Sequence, residues 1–283
     1  MNGSFQFIQI IWISLNNLCK SFISADFRLC SWYWVKSLKA IDVTMTVACA
    51  VLYTVVGYLS YMGIVSPVVG VVRFWPAVIV PAVFAALFGP WVGGTGAAIG
   101  IFLSDMTFGH QIALLSLFAG IPSNFLGFFI VGYIANKNLE WKHLGLGILG
   151  AMIVTALVGY VYYINVITID IFLIFTAIAI LSCLIIVATG TKFPKWKGFE
   201  LGSVLGLAFG SAWIGATLVI YSLFFPLPLT FEPYTRNAPF YAGVLWMVWT
   251  FCSEIPFMTI LGPPILEACY KAIPSIKKAG NRR

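Results

Sequence analysis

The chain has 283 residues, 61% of them hydrophobic and only 9% charged, with a mean hydropathy of +0.98 and a formal net charge of +7. A soluble domain is about 45–50% apolar and about 25% charged, so this much charge cannot cover a soluble surface and the bilayer must be the solvent for most of the chain. A soluble enzyme is excluded. The positive balance has a topological explanation, given below, and does not point to a nucleic-acid partner.

The expected organisation is an interfacial segment over 1–40, a transmembrane bundle over 41–275 and a basic cytoplasmic tail over 276–283. Phe5 to Leu15 is apolar but is followed by no small-residue cleavage site, and it is short of the roughly 20 residues a span needs. Lys20, Arg28, Lys36 and Lys39 then alternate with Phe22, Trp32, Trp34 and Leu38. That pattern reads as an amphipathic segment lying on the cytoplasmic face, with a transmembrane helix as the alternative.

From residue 41 the sequence predicts an all-α bundle of about eight spans, over 41–62, 74–88, 91–108, 111–135, 143–164, 169–189, 200–225 and 240–270. Such runs are helices in a bilayer because each backbone polar group must be satisfied within its own segment. With residue 40 inside and the chain alternating, 14 of the 16 basic residues fall in inside segments, leaving only Arg73 and Arg236 outside. Cytoplasmic loops collect Lys and Arg, so the expectation is a multi-pass cell-membrane protein with both termini inside.

Ionisable and amide groups near the hydrocarbon mark candidate functional positions. Arg73 and Trp75 open the second span, Asp105 and His110 stand at the outer turn between the third and fourth, and Arg236 lies in the last outer loop. Asn124 sits mid-helix beside Pro122 and Ser123, and Glu254 lies deepest, two residues before Pro256. Glu254 either braces the proline kink or faces a ligand, and Asn124 bridges helices or contacts one. Small residues at spacing four, Gly96 with Gly100 and Ala40 with Thr44 and Ala48, allow close helix approach. The second stripe is either a docking face for another membrane subunit or internal packing.

Other signatures are negative. The six cysteines form no CxxC pair, so neither a disulfide framework nor a metal site is expected. Gly145, Gly147 and Gly150 match GxGxxG inside an apolar helix with no preceding strand, which is no dinucleotide site. Asn2-Gly3-Ser4 is a glycosylation pattern on the expected inner side, out of reach of glycosylation. No Walker A, HExxH or Ser/His/Asp constellation occurs, and the two histidines, His110 and His143, fall on opposite faces. No catalytic residue and no cofactor is expected.

One stretch goes beyond generic membrane sequence. Phe74-Trp75-Pro76 to Pro81 leads through Phe88-Gly89-Pro90-Trp91-Val92-Gly93-Gly94 to Asp105, and then to Gly120-Ile121-Pro122-Ser123-Asn124. It resembles the substrate-binding subunit, or S component, of energy-coupling-factor (ECF) vitamin transporters, with its FGP-x-VG turn and glycine-rich helix ending in an acidic residue. Glu254-Ile255-Pro256-Phe257 through Tyr270-Lys271 resembles that family's last helix. The likeness covers about 41–135 and 240–275. The family core has six helices, so the extra pair would lie between 140 and 225, and Thr44 stands where many members carry alanine in the docking stripe. The resemblance implies capture of a vitamin-like small molecule near the outer surface by Arg73, Trp75, Asp105, Asn124, Arg236, Trp246 and Glu254. It also implies docking through Ala40, Thr44 and Ala48 to a membrane coupling subunit with two cytoplasmic ATPases. The reading from another class is a non-catalytic structural subunit of a larger membrane complex, contacting only lipid and its partners.

Overall fold

The computed structural model describes residues 39–63, 68–69, 72–137, 139–227 and 236–272. The expected interfacial segment, apart from its last two residues, and the basic tail lie outside them. The chain divides into two units, Met1–Val43 and Thr44–Arg283. The first contributes only Lys39–Val43 to the described residues, and the helical bundle with its cavity belongs to the second.

Helices stand at all eight expected stretches: α1 (Ala40–Gly63), α2 (Pro76–Phe88), α3 (Pro90–Thr107), α4 (Ala113–Ala135), α5 (Trp141–Tyr163), α6 (Ile169–Lys192), α7 (Pro194–Phe224) and α8 (Phe240–Ala272). Between α1 and α2 a short antiparallel hairpin pairs β1 (Val68–Val69) with β2 (Val72–Arg73). Six helices, all but α2 and α3, are long and apolar enough to cross a membrane. The bulk of the chain is therefore a multi-pass helical membrane protein. At 1.5 Å per residue α2 is only about 20 Å long, against a hydrocarbon core of about 30 Å.

Two local devices set this architecture. Gly89 adopts φ 103° and lets α2 reverse directly into α3, a conformation that L side chains rarely tolerate. Pro90 follows at the first position of α3, where its fixed φ suits helix initiation and its missing N–H is no loss. The turn packs on α4: a Cβ on Gly132 would come within 2.6 Å of Pro90 Cα, and Asn136 Nδ2 donates to the Ala86 carbonyl at 3.0 Å.

The second device is a seam between α4 and α7. Gly198, Gly202, Gly206 and Gly210 recur every four residues along one face of α7. They meet Ala135, Val131, Gly127 and Ser123 in antiparallel register, with backbone carbonyls of α4 where each missing Cβ would sit. Small residues at this spacing let backbones approach closely, which is the main source of attraction between helices in lipid. The expected Gly96–Gly100 contact is internal packing too: Cβ atoms there would meet Cys49 and the Ala50 carbonyl of α1. Cys49, which fills the gap at Gly96, and Cys252 are fully buried free thiols. In the proposed docking stripe Thr44 is exposed and Ala48 half-buried, on a helix that also exposes Val47, Val51, Val55 and Leu59.

Candidate functional site

The hairpin fixes one end of the bundle. Arg73, the last residue of β2, reaches the last turn of α3, where its Nη2 lies 2.6 Å from Asp105 Oδ1. Asp105 Oδ2 accepts from the Ser116 hydroxyl at 2.7 Å, and His110 Nε2 stands 3.4 Å from the same oxygen. The carboxylate is 4% exposed and has donors on both oxygens. A buried charge persists in apolar surroundings only when paired in this way. Ser116 can reach it because α4 opens with a wide π-type turn over Ser116–Gly120, a feature that often marks functional positions in helices. Gly120, at the end of that turn, keeps the approach open: a Cβ there would stand 3.0 Å from Asp105 Oδ2.

Aromatic rings frame the ion pair. The Arg73 guanidinium carbon lies 4.7 Å from the centre of the Trp75 ring, and Trp75 stacks on Phe108 at 6.2 Å with 26° between planes. A cation over an indole face is held by the ring quadrupole. Trp75 meets Tyr53 of α1 edge-on at 6.1 Å, and Gly57 supplies its slot, since a Cβ there would overlap the indole. One step deeper, the Tyr53 hydroxyl donates to Asn124 Oδ1 at 2.8 Å, and Asn124 Nδ2 donates to the Gly120 carbonyl at 2.9 Å. Asn124 thus joins α1 to α4 and holds the wide turn from below.

These groups surround a cavity of about 100 Å³ lined by Tyr53, Arg73, Trp75, Asp105, His110, Asn124 and Glu254, with apolar walls from Ile101, Leu115, Ala119, Ile214 and Leu218. Five of the seven residues marked from the sequence, Arg73, Trp75, Asp105, Asn124 and Glu254, therefore line one space although four separate elements and the connection between β2 and α2 carry them. Trp246 is 2% exposed and packs with Leu115, Ala119 and Leu218, behind the wall rather than on its surface. Arg236 is exposed and is not among the lining residues.

Glu254 forms the floor. It is 7% exposed, and among the described residues no hydrogen bond reaches its carboxyl. It also lines a second space of about 30 Å³, where Ser123, Asn124, Ser211 and Thr250 stand among otherwise apolar neighbours. Two residues on, Pro256 removes a backbone donor to the preceding turn, and beyond it the helix widens into a π-type turn over Phe257–Leu261.

Sequence reasoning missed Tyr53 and Ser116. A tyrosine midway along an apolar helix was the one available signal for the first, and serine is too common in membrane helices to have marked the second. Among the described residues no group of three His, Cys, Asp or Glu side chains could hold a metal ion. No family model, curated protein or solved structure matches the chain.

Proposed function

We propose that this chain is a membrane-embedded solute-binding protein that takes a small molecule into the cavity at its hairpin end, and that it serves an importer as its binding subunit. The observation carrying the reading is the cavity itself. Polar side chains from β2, α1, α3, α4 and α8 converge on one space whose remaining walls are apolar. A mostly apolar pocket with a few convergent polar groups is the usual form of a small-molecule site. Burying an ion pair, an amide and an unpartnered carboxyl together in a membrane bundle has a cost that a structural role does not explain.

The finer features of the proposal rest on the sequence. The partition of basic residues supports eight crossings with both ends of the chain inside, which turns the hairpin and its cavity outward. The likeness to ECF S components supports a vitamin-class solute and partners comprising a coupling subunit and two ATPases. The exposed face of α1 around Thr44 and Ala48 is the candidate contact. Purification from native membranes tests both parts: a small molecule should be released on denaturation, and ATPases should accompany the chain. A solute-free chain held among subunits of some other complex would favour the structural-subunit alternative.

A further inference from the structure

We infer that the cavity selects a cation: a small solute with a protonated nitrogen that pairs with Glu254 and an apolar body that fills the rest of the space. The inference rests on the reading of the cavity as a solute site and adds the charge of its occupant.

The charged groups that line the space do not balance. Two carboxyls, Asp105 and Glu254, face one guanidinium, Arg73. Arg73 is engaged at the rim, where its Nη2 is bonded to Asp105 Oδ1 at 2.6 Å. His110 belongs to the same rim group, since its Nε2 lies 3.4 Å from Asp105 Oδ2. Even a charged imidazole would place its charge beside Asp105 rather than at the floor. Among the described residues no other Lys or Arg lines either space, so the Glu254 carboxyl has no counter-cation on the protein. A buried carboxylate without a partner is costly where the dielectric constant is low. A cationic group on the solute supplies the missing charge, whereas an anionic one would add a third negative group to the two already there.

The hydrogen-bonding groups point the same way. The two uncharged hydroxyl and amide side chains that line the space have spent their hydrogens. The Tyr53 hydroxyl donates to Asn124 Oδ1 at 2.8 Å, and Asn124 Nδ2 donates to the Gly120 carbonyl at 2.9 Å and to Ser123 Oγ at 3.4 Å. Arg73 Nη1 and Trp75 Nε1 have no partner among the described residues, but both are sealed even from a water molecule, so neither can reach a solute. The Glu254 carboxyl accepts no hydrogen bond among the described residues and is not one of these sealed groups; it is open to the space it lines. A carboxylate only accepts, so the open group at the floor calls for a donor. An ammonium-type N–H donates and carries the balancing charge, which gives a bond about twice as strong as a neutral one. Ile101, Leu115, Ala119, Ile214 and Leu218 supply apolar walls for the hydrocarbon part of the same solute.

The test is thermal unfolding of the full chain in detergent with three benzene derivatives at millimolar concentration: benzylamine as the cation, benzamide as the uncharged probe and benzoate as the anion. Benzylamine should raise the unfolding temperature, because a ligand that binds only the folded state stabilises it, and the other two should not. Glu254→Gln keeps the shape of the side chain and removes its charge, and should weaken benzylamine binding by about tenfold or more. Ala119→Trp fills the space and should abolish the response. The probe-free unfolding temperature of each variant shows whether it has folded. Shifts with benzamide or benzoate as large as that with benzylamine overturn the choice of a cation while leaving the solute site standing. No shift with any probe overturns both. An undiminished benzylamine response in folded Glu254→Gln or folded Ala119→Trp also overturns the inference, since binding would use neither the carboxyl nor the cavity it faces.

Discussion

The α4–α7 seam supports the strongest test of the fold, because one substitution made at glycines of two different helices should act in opposite directions. An added methyl at Gly206 would overlap the Gly127 carbonyl oxygen and stand 2.9 Å from Val131 Cγ2. The obstacle on the Gly127 side is backbone, so the helices must separate by roughly 1 Å to restore contact distance, and the attraction between them falls off over such gaps. Gly206→Ala should therefore cost about 1–3 kcal/mol, the usual penalty for overpacking a close interface. A methyl added at Gly145 of α5 would have nothing within 4 Å of it. Gly145→Ala should be neutral or stabilise by up to about 1 kcal/mol through helix propensity alone. Unfolding by titration with a denaturing detergent, followed by circular dichroism, measures both variants on one scale. Equal effects at the two positions, or a harmless Gly206→Ala, would refute the seam as a close backbone contact between α4 and α7.

Buried polarity and charge placement give two further predictions. Glu200 is fully buried in the second turn of α7, and neither carboxyl oxygen has a hydrogen-bond partner among the described residues; Glu200→Leu should stabilise the protein by about 1–3 kcal/mol in the same unfolding assay, and a loss of stability would mean that the carboxyl has a native partner. In a cysteine-free background, Thr235→Cys should react with a membrane-impermeant thiol reagent in intact cells and Lys195→Cys should not; the reverse pattern would overturn the proposed orientation.

Much of the fold was legible because hydrocarbon solvent leaves few options. Eight apolar runs bounded by polar or Pro/Gly breaks could only be helices, and the structure places a helix at each. Whether each run crosses was less legible. Apolarity marks α2 as membrane-embedded, but its length falls short of a span, and α3 is diluted by glycine. The glycine seam was missed although its period of four is plain in Gly198, Gly202, Gly206 and Gly210, because a stripe of small residues does not name the helix it faces.

The candidate site was legible where polarity is expensive. Arg73, Asp105, Asn124 and Glu254 stood out because each is costly in an apolar chain, and that cost is lowered when they share one space. Arg236 was grouped with them through shared sidedness alone, and loops carry no periodicity that fixes where a side chain points. Trp246 was marked as an aromatic wall, yet burial against Leu218 and Leu115 places it behind that wall. The apolar lining from Ile214 and Leu218 could not be read at all, since nothing separates a cavity-facing leucine from a lipid-facing one in sequence.

The central claim is that the space between Arg73 and Glu254 is occupied by a small solute. Ala119 lines it and is 5% exposed, so Ala119→Trp would fill it while leaving every polar side chain of the site in place. Mass spectrometry of protein purified from native membranes, before and after denaturation, reads the occupancy directly. A small molecule should be released from the wild-type chain and be absent from folded Ala119→Trp; no released molecule, or equal release from both, would contradict the claim.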